Sequence, residues 1–412
     1  MRQGLEVIIV GAGAGGLCLA QGLRTRKVKA EVFEREQSPA DRLQGYRLSI
    51  SAEGSRALKA CLPEPLYTQF IASSATPSRR LTFADHRLRR LLAIDLQERA
   101  AADTERERPV SRTILRQLLL EGLNDIVHLG KKFTGYEEGP EGRVTAHFDD
   151  GSTAVADVLV GADGASSRVR AQLLPKARRA DTGLVIVTGK LPLSERVRGE
   201  TPPELFGGPT LVLGPKGCFL FANAVEYESS PPAEDHEEYV MWGFSARRNV
   251  YGLDTPMEEA KGEQRRAAVM GLMGRWHSDL RHLVETTDAG AIEAFAAKTS
   301  VPVAPWKTQH VTLLGDALHN MTPFRGIGAN TALRDAAALC DCLVAVDRGE
   351  QALIPALSRY ERNMIHYGFG AVRASLRDMK RLHHRSPLRR AVTKTFLRMV
   401  DRIPRLKPLM HS

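Results

Sequence analysis

An α/β fold is predicted for this chain: a parallel sheet flanked by helices, an inserted β-rich domain, and a helical C-terminal region. Three observations predict it. An aliphatic strand running into a glycine turn and then a helix occurs three times, starting at Val7, Val158 and Val311. Between the second and third, residues 181–300 carry β-rich runs separated by loops rich in Pro, Gly and acid. Beyond Asn330 the chain reads as helical to about Ile403. With 412 residues, two or three domain-sized units are expected.

The first unit opens with VIIVGAGAGG, Val7–Gly16, followed by a helical run Leu17–Thr25. Gly11, Gly13 and Gly16 occupy the positions of a G-x-G-x-x-G fingerprint. The first glycine permits a sharp turn, the second lets backbone approach a pyrophosphate, and the third lets the helix pack close to its strand. Free N–H groups at the helix start would hold the pyrophosphate. A second strand, Ala30–Phe33, ends at Glu34, 18 residues past Gly16, where a ribose-binding carboxylate belongs. The unit is Rossmann-like and implies a bound dinucleotide.

After Arg35 come a polar turn around Pro39, a strand Tyr46–Ile50, and a helix Ser55–Cys61 that stops before Pro63. Arg79–Ile94 suggests a strand pair and Glu98–Arg108 a charged loop. Ser111 is a good N-cap for a helix through Leu115, Leu118, Leu119 and Leu123. Strands near Val144–Phe148 and Thr153–Asp157 flank an Asp-Gly hairpin turn. Val158–Arg170, VLVGADGASSRVR, repeats the strand–glycine–acid–helix pattern. In the middle region, β-rich runs Leu184–Thr188, Thr210–Asn223 and Tyr239–Ser245 precede helices at about Met257–Trp276 and Ala291–Ala297. The pattern then returns with Val311–Leu314, Gly315-Asp316, a loop Thr322–Gly328 and a helix Asn330–Val346.

The formal charge of +10 is concentrated: from Lys380 onward ten Lys/Arg face one acid, Asp401. The body is near neutral, which argues against a nucleic-acid partner. Cys18, Cys61, Cys218, Cys340 and Cys342 show neither zinc nor disulfide spacing, so buried reduced thiols, no metal site and a cytoplasmic location are expected. Only Arg2 is basic ahead of the first strand and no cleavage site follows, so no signal peptide is expected; no window resembles a membrane span.

Three segments together carry a resemblance: G-A-G-A-G-G at 11–16, D-G-A-S-S-R-V-R at 163–170, and G-D-A-L-H-N-M-T-P-F-R-G-I-G-A-N at 315–330. In order and spacing, along nearly the whole chain, the sequence resembles the single-component FAD-dependent aromatic hydroxylases, flavoprotein monooxygenases of the para-hydroxybenzoate hydroxylase type. The resemblance implies a glutathione-reductase-type FAD-binding domain in three parts (1–75, 109–178, 301–346), a substrate domain in two (76–108, 179–300), and a C-terminal helical region, 347–412. It implies that Gly11, Gly13, Ala14 and Gly16 hold the FAD pyrophosphate, with Glu34 and Arg35 at the adenosine ribose. Arg112 looks like the family arginine that reaches FAD. Asp163 and Gly164 match a motif serving both FAD and NAD(P)H, which Ser167 and Arg170 complete structurally. Gly315 and Asp316 would meet the ribityl hydroxyls, since an ionised carboxylate is acceptor-only. Pro323, Gly326, Gly328, Ala329 and Asn330 would wrap the pyrimidine end, with backbone N–H groups at the helix start stabilising negative charge there. Leu318 replaces the usual alanine beside the retained His319, whose expected role is a structural hydrogen bond. No second G-x-G-x-x-G exists, so no separate NAD(P)H domain is expected.

The implied activity is an FAD monooxygenase that uses NAD(P)H and O2. It would hydroxylate, epoxidise or Baeyer–Villiger oxidise an aromatic or polycyclic small molecule through a C4a-hydroperoxyflavin, in secondary metabolism or catabolism. The alternative is a flavin-dependent reductase of isoprenoid double bonds. A dry, largely apolar pocket is required. Its wall is expected from alternate residues of the middle sheet: Phe219, Phe221 and Met241 with Gly243, or Leu220, Trp242 and Phe244. Arg47, on a strand with Ser49, is the catalytic candidate, favouring a phenolate or an anionic flavin; a salt bridge elsewhere is the competing role. The reacting end of the flavin is expected near Pro323–Asn330, facing the middle domain. Between Pro387 and Pro404, apolar Leu388, Val392, Phe396, Met399, Val400 and Ile403 fall at helical spacing among Arg and Lys. Such a helix either docks on the body with a solvated basic face or makes peripheral contact with an anionic membrane.

Overall fold

The computed structural model describes residues 4–38, 47–96, 107–139, 142–227 and 237–403. The Pro39 turn, Tyr46, most of the 98–108 loop and the chain past Ile403 lie outside these. The chain divides into two compact units: Met1–Ser74, Ala102–Ala180 and Lys298–Leu376 form the first, and Ala75–Ala101, Asp181–Ala297 and Arg377–Ser412 the second. The helical C-terminal region, read from sequence as one piece, is split between them inside the Leu353–Leu382 helix.

The first unit is built on a five-stranded parallel sheet, in the order Val311–Leu313, Val158–Gly161, Glu6–Val10, Lys29–Phe33, Val127–His128. Strands buried on both faces read as continuous aliphatic runs rather than alternations. That is why EVIIV and VLVG, with at most one residue short of full burial, were legible. The Ala14–Thr25 and Gly328–Asp347 helices pack closely, helped by Gly22, where a Cβ would meet Cys340 Sγ at 2.7 Å. All five cysteines are buried and unbridged. A three-stranded antiparallel sheet holds the hairpin, its turn glycine Gly151 at φ 82°. The Arg47–Ile50 strand pairs antiparallel with Arg108–Ser111.

The second unit contains a seven-stranded sheet: Glu293–Ser300, Arg179–Pro192, Tyr239–Arg247, Phe219–Val225, Thr210–Leu213, Arg80–Asp85, Arg90–Asp95. The strand pair expected within Arg79–Ile94 is present. Two other expectations need correction. Ala291–Ala297 is not a helix: its alanines favour one, but Glu293–Ser300 pairs at the sheet edge, and pairing overrides propensity. The helix expected over Met257–Trp276 spans only Gly262–Leu272, and a separate helix, Ser278–Thr286, follows. The β-rich run Thr210–Asn223 holds two strands, Thr210–Leu213 and the start of Phe219–Val225, because Pro215–Gly217 forms a tight turn with Gly217 at φ 77°. Among the described residues, no helix is long and apolar enough to cross a membrane.

Candidate active site

The three motif turns follow the Glu6–Val10, Val158–Gly161 and Val311–Leu313 strands. These strands are parallel neighbours, so their turns gather at one edge of the sheet, the carboxyl edge where open α/β sheets bind ligands.

At the first turn, Gly11 has φ +111°, and a Cβ there would lie 2.5 Å from Ala162 O. A Cβ on Gly16 would lie 2.1 Å from Gly11 O. Neither position tolerates a side chain, for the two reasons the fingerprint anticipates. Gly13 differs: a Cβ there would meet nothing within 4 Å. Ala14 begins the helix that Gly13 caps. Glu34 is buried at the end of its strand, and its carboxylate accepts the Ala12 amide at 2.7 Å and the Glu36 amide at 3.1 Å. Arg35 beside it is exposed.

At the second turn, Gly164 has φ +75° with open space where a Cβ would project. Asp163 Oδ2 accepts the Arg168 and Val169 amides, while its Oδ1 is buried without a hydrogen-bond partner. Ser167 caps the short Arg168–Leu173 helix through the Arg170 amide. Arg170 donates to Ala165 O and, at 2.7 Å, to Ala317 O, tying the second turn to the third. Ser167 and Arg170 are thus engaged within the protein.

At the third turn, Gly315 lies at φ +61° and its amide donates to Asp335 Oδ2 at 2.7 Å. Asp335 is fully buried and also holds His319 Nε2 at 2.6 Å and the Tyr367 hydroxyl at 2.5 Å. Arg334 stacks its guanidinium 3.7 Å from the centre of the Tyr367 ring. Burial works against a charged His319, but the adjacent Asp335 carboxylate outweighs it and holds the imidazole above its ordinary value. His319 therefore makes the structural bond expected of it. Leu318 is buried in the core of the first unit. Asp316, by contrast, is exposed, with Oδ1 4.0 Å from where a Gly328 Cβ would sit. Pro323 opens a 3-10 turn that Gly326 closes at φ +63°, and Gly328 starts the long helix with Ala329 next.

The Asn330 side chain is engaged within the protein. Its Oδ1 accepts the Ser51 amide and its Nδ2 donates to Ser49 O, both at 2.8 Å. The side chain clamps the loop to the Arg47–Ile50 strand, and a Cβ on Gly54 would lie 2.2 Å from its Oδ1. Arg47 forms an ion pair with Glu107 at 3.2 Å and donates to Ser49 Oγ at 3.3 Å. Arg112 is exposed at the head of the Arg112–Leu120 helix. Its N-cap Ser111 stands opposite Arg47 in the strand pair, although the serine side chain makes no cap bond.

In the second unit, cross-strand pairing sorts the wall candidates onto opposite faces. Trp242 stands opposite Gly189 and Ala222, on the face packed against the Gly262–Leu272 and Ser278–Thr286 helices. Its indole N–H donates to Thr287 at 2.8 Å, so it is a core residue. Phe219, Phe221 and Met241 share the other face with Thr188, Asn223, Gly243 and Ser245. Thr188 Oγ1 and Asn223 Oδ1 are buried there without a hydrogen-bond partner.

The residues fit a large dinucleotide cofactor. Gly13 borders open space, Asp163 leaves a buried acceptor oxygen, and Asp316 presents an acceptor beside a helix start. Sequence reasoning missed Asp335, Tyr367, Thr188 and Asn223. Asp335 and Tyr367 sit on helical runs without motif spacing, and the two polar residues looked like ordinary strand positions.

The FAD binding domain family matches residues 125–373, and the NAD(P)-binding Rossmann-like domain family matches residues 9–57. The chain is 32% identical over 377 residues, 82% of its length, to the dual O-methyltransferase/FAD-dependent monooxygenase elcB of Phaeosphaeria nodorum, of which it spans 40%. It spans less than half of the first curated relatives it matches. It is 29% identical to the aurachin C monooxygenase/isomerase of Stigmatella aurantiaca, over 88% of this chain and 85% of that one. The crystal structure of a FAD-containing monooxygenase from Photorhabdus luminescens superposes with a TM-score of 0.83 at 32% identity, covering 92% of this chain and 98% of that one.

Proposed function

The chain belongs to the FAD-dependent monooxygenases of the para-hydroxybenzoate hydroxylase type, and from that premise we propose that it inserts one oxygen atom of O2 into an aromatic or polycyclic small molecule at the expense of NAD(P)H. It is an oxidoreductase whose cofactor is FAD. The observation that carries the proposal is the convergence of three glycine–acid turns on one sheet edge. A lone nucleotide would need only the first turn.

When bound, FAD supplies the hydride-accepting and oxygen-activating chemistry. The protein's part is to hold, orient and keep dry. The amides of Gly13–Gly16 at the helix start receive the pyrophosphate, while the Gly11 and Ala12 amides hold the turn through Phe33 O and Glu34, and Glu34 and Arg35 meet the adenosine ribose. Glu34 can do so while holding its loop, because each carboxylate oxygen has two lone pairs and each accepts one amide. Asp163 and Asp316 accept hydroxyls of the cofactor, with Gly164 and Gly315 giving backbone access. Gly328 and Ala329 present amides toward the pyrimidine end, Pro323 and Gly326 shape the turn before them, and Asn330 positions that loop. Arg112 reaches the cofactor, and Arg47, oriented by Glu107, favours negative charge on the reacting groups.

Phe219, Phe221 and Met241 form the apolar wall for the substrate ring and exclude water, while Trp242 supports them from the core. Thr188 and Asn223 are the polar contacts that orient the substrate on that face, since each carries a buried atom without a partner. Relatives named as monooxygenases favour this reading over double-bond reduction, and the setting we propose for it is secondary metabolism in the cytoplasm. The test is turnover of a panel of phenols, quinolones and polycyclic aromatics with NADH or NADPH under 18O2. One labelled oxygen per product supports the proposal. Product formed without O2, or without label, refutes it.

A further inference from the structure

The Pro387–Arg402 helix carries two apolar surfaces. One is buried: Leu397 and Val400 are 3% and 0% exposed. That side is also pinned by charge, with Asp401 accepting the Ala93 amide at 3.0 Å and pairing with Arg90 at 3.6 Å. The other surface faces solvent. Leu388, Val392, Phe396, Met399 and Ile403 are 74%, 61%, 43%, 44% and 43% exposed. At 3.6 residues per turn they fall within one arc of about 80°, a continuous stripe rather than scattered surface apolars. The same rotation places Arg389 on one border of the stripe and Arg402 on the other, both exposed. Arg385, three residues ahead of Leu388, lines a cleft of about 510 Å³ with Gly183, Arg247, Arg248 and Asn249.

We propose that this helix rests on an anionic lipid surface. The apolar stripe enters the boundary between headgroups and acyl chains, the flanking arginines contact lipid phosphates, and the Arg247–Arg385 cleft receives a headgroup. Charge selects this occupant. A second copy of the chain would bring the same basic borders together across a two-fold contact, whereas an anionic bilayer neutralises them. The docking contacts through Leu397, Val400 and Asp401 leave the stripe free to engage without remodelling the helix.

The test is co-sedimentation of the full-length, FAD-loaded protein with phosphatidylcholine vesicles, with and without phosphatidylglycerol. Binding is expected only with the anionic lipid and is weakened by salt. The Leu388→Glu/Phe396→Glu variant should bind roughly tenfold more weakly or worse, with its melting temperature and flavin absorbance unchanged, since both positions are exposed. The proposal is overturned if the wild type stays in the supernatant at low salt, or if the variant sediments as the wild type does. A wild-type dimer that the variant converts to monomers, without vesicle binding, overturns it in favour of a second copy.

Discussion

The first and third glycine turns of the first unit share a pattern but divide their labour differently. At the first, a single acid holds the loop and, in the function we propose, also meets the cofactor: Glu34 is buried and accepts two loop amides. At the third these tasks fall to two residues. Asp335, buried twenty residues along, fixes the Gly315 amide and is itself held by His319 and Tyr367. Asp316, the acid inside the motif, is left exposed. The entering strand is also buttressed differently. Thr312 donates to Glu361, a carboxyl that burial pushes up to about 7. A motif acid therefore does not reveal by itself whether it serves the fold or the ligand.

The largest effect belongs to Asp335→Asn, which removes the charge from a buried carboxylate bonded to Gly315, His319 and Tyr367. A loss of about 3–5 kcal/mol in chemical denaturation is expected. It should also flatten the pH dependence from His319. Because the folded state raises that imidazole, its stabilising contribution is full below about pH 6.5 and fades as pH rises through the higher folded value. A variant as stable as the wild type would erase the distinction between the turns.

Next is Glu361→Gln. The folded carboxyl keeps its proton to about pH 7, whereas the unfolded one loses it near 4.5, so wild-type stability falls as pH rises across that window. The variant should lack this slope, a relative gain of about 3 kcal/mol by pH 8, read from denaturation midpoints. An unchanged slope would place the buttress elsewhere.

A smaller effect separates two glycines of the first turn. Gly13→Val should leave the apoprotein's melting temperature nearly unchanged, because a Cβ there meets nothing. FAD affinity should nonetheless drop by roughly a hundredfold as the pyrophosphate loses its backbone approach. Gly16→Ala, whose Cβ would strike Gly11 O, should instead lower the melting temperature. Equal behaviour of the two would contradict the reading of Gly13 as the ligand-facing glycine.

These contrasts also explain what the sequence could disclose. Continuous aliphatic strands and glycine turns are local signals, so the parallel sheet and its three turns were readable from residues such as Val7–Val10 and Gly315-Asp316. The Glu293–Ser300 strand was misread because its alanines favour a helix and only a distant partner makes it a strand. Asp335 was invisible for a similar reason. Its partners Gly315, His319 and Tyr367 lie 16 to 32 residues away, and no spacing announces them. Trp242 and Phe221 looked equivalent as strand aromatics, since alternation gives two faces without saying which one the helices cover.

The division of labour at the third turn is tested most directly by titrating FAD into the Asp316→Ala apoprotein while recording its thermal melt. An exposed acceptor that serves only the ligand predicts a wild-type melting temperature and FAD binding weaker by roughly tenfold or more. Wild-type affinity, or a lowered melting temperature with affinity intact, would contradict it.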